Sequence, residues 1–151
     1  MKLSESIIEI ANSQVGVHEI PHGSNAGPEV EIYLKSVGLG KGNAWCMAFV
    51  YWVTNEASKK CGALNQLLKT AGVMNQWNSR PKVRVTIPQA GDIFIMDFGK
   101  GLGHTGIVTE VLANGTINTI EGNTNTDGSR DGYAVCKRNR KITSCKGFLR
   151  V

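Results

Sequence analysis

Cys46 and His104 are the residues whose types and positions could carry out nucleophilic catalysis. A thiolate is the nucleophilic form of cysteine, and a histidine that titrates near neutral pH is the usual base beside it. Cys46 lies in an apolar segment, residues 42–56, with the sequence GNAWCMAFVYWVTNE. Because cysteine is also a common core residue, its position alone leaves both catalysis and packing open.

The segment around Cys46 predicts a helix with the thiol in its first turn. Asn43 is the expected N-cap, since its side-chain oxygen could accept from a backbone N–H one turn further on. Apolar and small residues then recur at helical spacing, at Cys46, Phe49, Val50, Val53 and Ala57. The helix dipole favours an anion in the first turn, so we expect the thiolate of Cys46 to be easier to populate there.

His104 opens the first strand of a predicted hairpin with an Asn-Gly turn at 114–115. With a two-residue turn, Val108 opposes Glu121, and the side chains of His104, Glu121 and Asn123 share one face of the sheet. Asn123 is then the closer neighbour of the imidazole. A two-residue shift or a longer turn would keep the same face and bring Glu121 into contact instead, so the residues alone leave both candidates open as the group that orients His104.

These residues are embedded in a chain that changes character near Pro81. Before it, apolar spacing predicts four helices, at 3–14, 28–37, 43–61 and after 70. After it, alternating apolar residues predict strands at 83–85, 92–97, 104–113, 116–123, 132–137 and 146–151. Helices followed by an antiparallel meander predict an α+β fold, and the length predicts a single domain over residues 1–151.

The chain is cationic, with 17 basic and 12 acidic residues and a net charge of +5. Such an excess favours an anionic partner such as nucleic acid, a membrane surface or a cell wall. Six cations cluster late in the chain, at Lys137, Arg138, Arg140, Lys141, Lys146 and Arg150. The cluster lacks the interleaved aromatic residues of a single-strand binder, so we interpret it as a solvated face and expect no nucleic-acid partner.

Several classes of protein are disfavoured. No apolar run approaches the roughly 20 residues of a membrane span, and residues 1–10 lack the continuous apolar segment of a secretory signal. The cysteines, at 46, 61, 136 and 145, form no CxxC pair, which disfavours a zinc ribbon or a thioredoxin-like motif. A pair between Cys136 and Cys145 stays open, with a reducing compartment as the default expectation.

Five short motifs follow one another along the chain: GSNxGP at 23–28, AWCMAFV at 44–50, PxxGDI at 88–93, GHxGIV at 103–108 and EGN at 121–123. Together they resemble the successive motifs of the CHAP amidohydrolase/peptidase family, which belongs to the papain-like, NlpC-related cysteine peptidases. The resemblance covers most of the chain and implies a papain-like fold, with N-terminal helices packed on a C-terminal antiparallel sheet and the nucleophilic cysteine at a helix N-terminus.

The resemblance also implies roles for individual residues. Cys46 would be the nucleophile, His104 the general base and then acid, and Glu121 the group that orients the imidazole, with Asn123 as a further polar residue of the site. The implied substrate is bacterial peptidoglycan, cut at a peptide bond or at the N-acetylmuramoyl-L-alanine amide through a thioester.

Further implied substrate contacts are Trp45, Asn25 and Gly103. Some CHAP domains carry calcium on acidic residues just before the cysteine, but residues 38–45 contain no carboxylate. An EF-hand-like pattern that begins at Asn123 lacks the required glutamate at its twelfth position, and we reject it. A loop with His18, Glu19 and His22 could bind a metal, but turn contacts or substrate lining are favoured. We expect no metal and no cofactor.

Two other functions remain open: a non-enzymatic cell-wall binding module with the same fold, and a thioester-based acyl transferase. A hydrolase of this kind would suit a phage lysin, an antibacterial effector or a wall-remodelling enzyme, and the missing signal segment favours the first two. We expect a monomer that another machinery delivers to the cell wall, in the periplasm or outside the cell. An effector would also need an immunity protein as partner.

Overall fold

The computed structural model describes residues 1–124 and 132–151 of the chain. In these residues four α-helices come first: α1 (Leu3–Ser13), α2 (Pro28–Ser36), α3 (Cys46–Cys61) and α4 (Val73–Ser79). Six strands follow: β1 (Arg84–Val85), β2 (Ile93–Gly99), β3 (Leu102–Val111), β4 (Thr116–Thr124), β5 (Ala134–Lys141) and β6 (Gly147–Leu149). The strands form one antiparallel sheet in the order β1-β6-β2-β3-β4-β5. The predicted α+β class is therefore confirmed.

The sheet is apolar on both faces because successive strand residues point to opposite sides. On one face, Ile93 and Ile95 belong to the core that includes the helices. On the other face, Phe94 and Met96 belong to a smaller apolar cluster with Val108, Ile117 and Phe148. Helix α3 packs on β3 and β4, while α1 and α2 pack on α3. Within the described ranges, no helix is both long and apolar enough to cross a membrane.

Helix α3 begins at Cys46, with Trp45 as its N-cap residue. The predicted N-cap, Asn43, is wrong, because its side-chain Nδ2 donates to the carbonyl of Gly40 at 2.9 Å. The start of the helix is tied instead to strand β4, since the Trp45 N–H donates to Oδ1 of Asn123 at 2.8 Å. A contact between residues 78 positions apart therefore fixes the helix start.

The hairpin of β3 and β4 differs from the predicted two-residue turn. Its turn has three residues, 113–115, and Gly115 adopts φ 82°, the left-handed conformation that such a turn requires. A bulge that follows Val108 displaces the register once more, so Val108 opposes Thr119 and not Glu121. Beyond the bulge, toward the site, the predicted register is thus wrong by two residues. Because two is an even number, the shift leaves the side chains of His104 and Glu121 on their predicted face.

The rejected EF-hand-like pattern falls largely on residues 125–131, which lie outside the described residues.

Candidate active site

Cys46 and His104 meet at one end of the sheet, where α3 begins, β3 begins and β4 ends. A Cβ placed on Gly122 would lie 2.9 Å from Trp45 on the helical side, so the neighbouring Glu121 points to the opposite face, as His104 does. The thiol of Cys46 is 9% exposed and affects the pKa of the imidazole. Three distant parts of the chain thus converge on one imidazole.

The imidazole of His104 is bonded to Glu121 and lies near enough to Cys46 for the thiol to affect its pKa. Its Nε2 lies 2.8 Å from Oε1 of Glu121, so Nδ1 is the ring nitrogen that the carboxylate does not engage. Burial, the largest effect, lowers the pKa of His104, but hydrogen bonds to Cys46 and Glu121, together with the charges of both groups, outweigh it. The net result raises the pKa of His104 from 6.5 to about 9. His104 is therefore an imidazolium at neutral pH, the state that stabilises an adjacent thiolate.

Glu121 is fully buried and is surrounded by hydrogen-bond donors. Its Oε2 accepts from Thr119 at 2.6 Å, and its Oε1 accepts from Thr124 at 3.3 Å in addition to contacting His104. Arg140 donates through Nε to Oε2 at 2.8 Å and through Nη2 to Oε1 at 2.6 Å. Burial raises the pKa of Glu121, but the hydrogen bonds and charges of Arg140 and His104 outweigh it and hold the pKa at about 2. The carboxylate is therefore ionised throughout the neutral range.

The space for Glu121 comes from a glycine on the neighbouring strand. A Cβ on Gly106 would lie 2.7 Å from Cγ of Glu121 and 2.7 Å from Cε2 of Phe94. Real Cβ contacts of this kind do not occur, so any larger residue at this position would displace the carboxylate. Gly106 thus allows Glu121 to lie against β3 beside His104.

Asn123, one of the two candidates for the group that orients His104, bonds to the chain on either side of β4. It adopts φ 55°, its Oδ1 accepts from the Trp45 N–H, and its Nδ2 donates to the carbonyl of Gly132 at 2.9 Å. Both bonds connect β4 to neighbouring chain segments and not to the imidazole. Asn123 therefore holds the residue immediately before Cys46.

The three predicted substrate contacts lie in unlike environments. Trp45 is fully buried, and its Nε1 donates to Glu19 at 2.8 Å. The indole is thus enclosed by protein, and a substrate contact by Trp45 stays a prediction. Asn25 is half-buried, and its carbonyl accepts from the N–H of Gly42 at 2.8 Å, which ties its loop to the segment before α3. Gly103 lies directly before His104, where a Cβ would come within 2.5 Å of a backbone oxygen of β2.

The geometry can be compared with known protein families. The family model of the CHAP domain matches residues 38–123, a range that contains Cys46, His104, Glu121 and Asn123. The chain belongs to the CHAP domain family. A search of curated proteins finds no match.

Membership in this family has a direct functional meaning. The CHAP family is one of peptidoglycan hydrolases and amidases, and its members are typically hydrolytic. The matched range covers α3, α4 and strands β1 to β3, and it ends at Asn123, within β4. Helices α1 and α2 and strands β5 and β6 lie outside it.

Arg140 is the residue of this CHAP domain that sequence reasoning missed. We interpreted it as part of a solvated cationic face, but its side chain is only 20% exposed and forms a fork with a buried carboxylate. Arg150, from the same cluster, also forms a fork, with Asp92. The predicted solvated face is therefore wrong for Arg140, whereas Arg150 keeps 38% of its side chain exposed while it binds Asp92. Knowledge that β5 pairs with β4 could have found Arg140. Arg140 lies opposite Ile117, so its side chain projects to the face that Ile117 shares with Glu121.

The loop proposed as an alternative metal site has other contacts. Glu19 is buried beside Trp45, His18 Nδ1 lies 3.3 Å from the carbonyl of Gly16, and the ring of His22 packs on Tyr133 at 4.3 Å. Among residues 1–124 and 132–151, no group of three or more His, Cys, Asp or Glu side chains is placed to hold a metal ion. All four cysteines are free thiols, so Cys136 and Cys145 are not joined.

Proposed function

We propose that the chain is a cysteine hydrolase of bacterial peptidoglycan with a papain-like mechanism. It would cut a peptide bond or the N-acetylmuramoyl-L-alanine amide, with Cys46 as nucleophile, His104 as proton carrier and Glu121 as the orienting group. The observation that carries this proposal is an imidazole that is bonded to a buried carboxylate and lies near the Cys46 thiol at the start of α3. Family membership supports the substrate class.

The reaction would begin from an ion pair. Because the pKa of His104 is raised to about 9, the imidazole carries a proton at neutral pH, and an imidazolium beside Cys46 would favour the thiolate. Glu121 stabilises that imidazolium and fixes the ring through Nε2. Proton transfer from thiol to imidazole would therefore precede the attack on the substrate.

Two half-reactions follow from this arrangement. Sγ of Cys46 attacks the carbonyl carbon, and the proton on His104 passes to the leaving amine as the C–N bond breaks, which gives a thioester. Water then attacks the thioester and gives one proton to His104, and the C–S bond breaks to restore the thiolate. The protein ends each cycle in its starting ion pair.

The negative oxygen formed in each half-reaction needs a preorganised donor. The backbone N–H of Cys46 suits this role, since the first N–H groups of a helix have no acceptor within the helix. Asn123 would preserve this donor, because it fixes the residue before Cys46. The helix N-terminus would therefore stabilise both the thiolate and the oxyanion.

The test is mass spectrometry of soluble fragments from purified peptidoglycan treated with wild type or with Cys46→Ala. Fragments released only by wild type would support hydrolysis, and their masses would distinguish amidase from endopeptidase. If neither protein released fragments from several wall types while both sedimented with the sacculi, a binding module would replace the proposal. Products joined to an added amine would indicate acyl transfer.

The place of action follows from the substrate. We propose that the chain acts on the cell wall after delivery by another machinery, as a phage lysin or an antibacterial effector, and the net charge of +5 suits an anionic wall. Lysis of cells by protein added from outside, compared with protein targeted to the periplasm, would test this route. Lack of lysis from both sides would refute it.

A further inference from the structure

Arg140 binds the carboxylate that contacts His104. It lies on β5, opposite Ile117 and four residues from Cys136, which is the partner of Glu121. Paired residues of neighbouring strands project to the same face of a sheet, so Arg140 and Glu121 lie on one face. Because Arg140 is paired four residues away from Glu121, its side chain must extend along the strand to reach the carboxylate. Both of its bonds to Glu121 are shorter than 3 Å.

Three charged groups follow one another at this end of the sheet: the His104 imidazolium, the Glu121 carboxylate and the Arg140 guanidinium. With Cys46 as the thiolate that the proposed mechanism requires, four charges would alternate along the line and sum to zero. Without the guanidinium, the same buried site would hold two negative charges and one positive charge. A buried carboxylate that lacks a full set of partners takes up a proton more readily.

We propose that Arg140 is a positioning residue of the site, which acts through Glu121 to hold the His104 imidazolium against the Cys46 thiolate. This inference rests on the proposed function for its catalytic meaning, although its electrostatic part can be measured without a substrate. Arg140 contacts neither the thiol nor the imidazole through a hydrogen bond of the described residues. Its effect on the reaction is therefore carried entirely by the carboxylate.

Fork geometry explains why an arginine is needed here. Two parallel N–H groups engage both oxygens and so fix the plane of the carboxylate, whereas a lysine would supply one charge without that fork. The fixed plane directs Oε1 to Nε2 of His104. Arg140 thus contributes both charge and orientation.

Other groups near Glu121 must be considered in any pH experiment. Strand β4 contributes Thr119 and Thr124, and β5 contributes Cys136 opposite the carboxylate and Arg138, which donates to Thr124. Cys145 adds a distant thiol. Burial raises the pKa of both Cys136 and Cys145, so these thiols stay neutral under acidic and neutral conditions. The cation that faces Glu121 across β5 and bonds to it directly is Arg140.

The experiment compares Arg140→Met with a matched variant, Arg150→Met. Arg150 forms the same kind of fork with a nearly buried carboxylate, Asp92, at 2.8 and 2.9 Å, but that fork has no contact with His104. The full-length folded proteins are treated with iodoacetamide over a range of pH, and peptide mass spectrometry measures alkylation at Cys46 alone. The same proteins are assayed for release of peptidoglycan fragments.

The expected result is specific to Arg140. In Arg140→Met the acid limb of Cys46 alkylation should move to higher pH by about one unit or more, because loss of the guanidinium leaves an excess of negative charge that disfavours the thiolate. At neutral pH kcat should fall about tenfold or more with little change in KM, as expected when an interaction of the transition state is lost. Arg150→Met should lower the unfolding temperature and leave the acid limb in place.

A folded Arg140→Met protein with the wild-type acid limb and a kcat within twofold of wild type would overturn the inference. If this variant does not fold, Arg140→Lys decides the question, since it keeps the charge and loses the fork; a kcat equal to that of wild type would then overturn it. Failure of wild type to release fragments would refute the proposed function instead. A shifted alkylation profile would still support the positioning role in that case.

Discussion

Replacement of Glu121 by glutamine tests the electrostatics of the site most directly. The two side chains have nearly the same shape, so the change removes the charge and replaces one acceptor oxygen with an NH₂ group. The new NH₂ group would face the N–H group of either His104 or Arg140. Both groups are hydrogen-bond donors, so that hydrogen bond would be lost. The imidazolium and the guanidinium would both lose their anionic partner.

The size of the effect can be estimated from the pKa of His104. A rise from 6.5 to about 9 corresponds to roughly 3 kcal/mol of preference for the imidazolium. Cys46 and Glu121 both contribute a hydrogen bond and a charge to this rise. We therefore expect Glu121→Gln to lower the pKa of His104 by about one unit or more. The unpaired Arg140 should also reduce the free energy of unfolding by up to about 3 kcal/mol.

The assay is an NMR titration of the imidazole Cε1 protons. The chain has three histidines, and spectra of His104→Gln assign the resonance of His104. Glu110→Gln is a suitable control, because Glu110 is exposed on β3 and, within residues 1–124 and 132–151, accepts a hydrogen bond from Asn118 and has none with His104. An unchanged midpoint for His104 in folded Glu121→Gln would refute the argument that the carboxylate holds the imidazolium.

Three further predictions concern the same site. Gly106→Ala should displace Glu121 and reduce kcat about tenfold or more without unfolding the chain; wild-type kcat would contradict the packing argument. Asn123→Ala should lower kcat more than it raises KM, since it releases the start of α3, and equal kcat in a peptidoglycan assay would argue against this link. The free energy of unfolding should be greatest between pH 4.5 and 6.5. The contribution of His104 is complete below pH 6.5 and is lost as the pH rises through about 9. The contribution of Glu121 is complete above pH 4.5 and is lost as the pH falls through about 2. Thermal unfolding across this range would check it, and a steady rise in stability from pH 7 to 10 would contradict it.

Because side chains alternate between the two faces of a strand, the face that carries the site was predictable although the register of β3 and β4 was not. An Asn-Gly pair predicted a two-residue turn, but Gly115 adopts the left-handed conformation at the end of a three-residue turn, and both kinds of turn accept a glycine. The bulge after Val108 has no marker in the sequence. The two irregularities together move the strand by two residues, which brings Glu121 to His104 on the predicted face.

Contacts between distant residues account for what was missed. Arg140 occurs in a run of cations that resembles a solvated strand, and its partner lies 19 residues earlier on a neighbouring strand. The same reason explains the wrong N-cap, because a local rule selected Asn43 while Asn123 holds the helix start from β4. Trp45 is buried since Glu19 satisfies its indole N–H, a pairing that no local pattern predicts.

The position of β6 in the sheet has a consequence for synthesis of the chain. This strand is the last in chain order, yet it lies between β1 and β2. Strand β2 pairs on one edge with β3, where Met96 lies opposite His104, and on its other edge with β6. During synthesis, this second edge of β2 stays unpaired until β6 has left the ribosome. Open strand edges attract other chains and proteases. Ribosome-bound chains stalled before residue 147 should therefore be cut by proteases within β2, whereas chains extended well beyond β6 should resist.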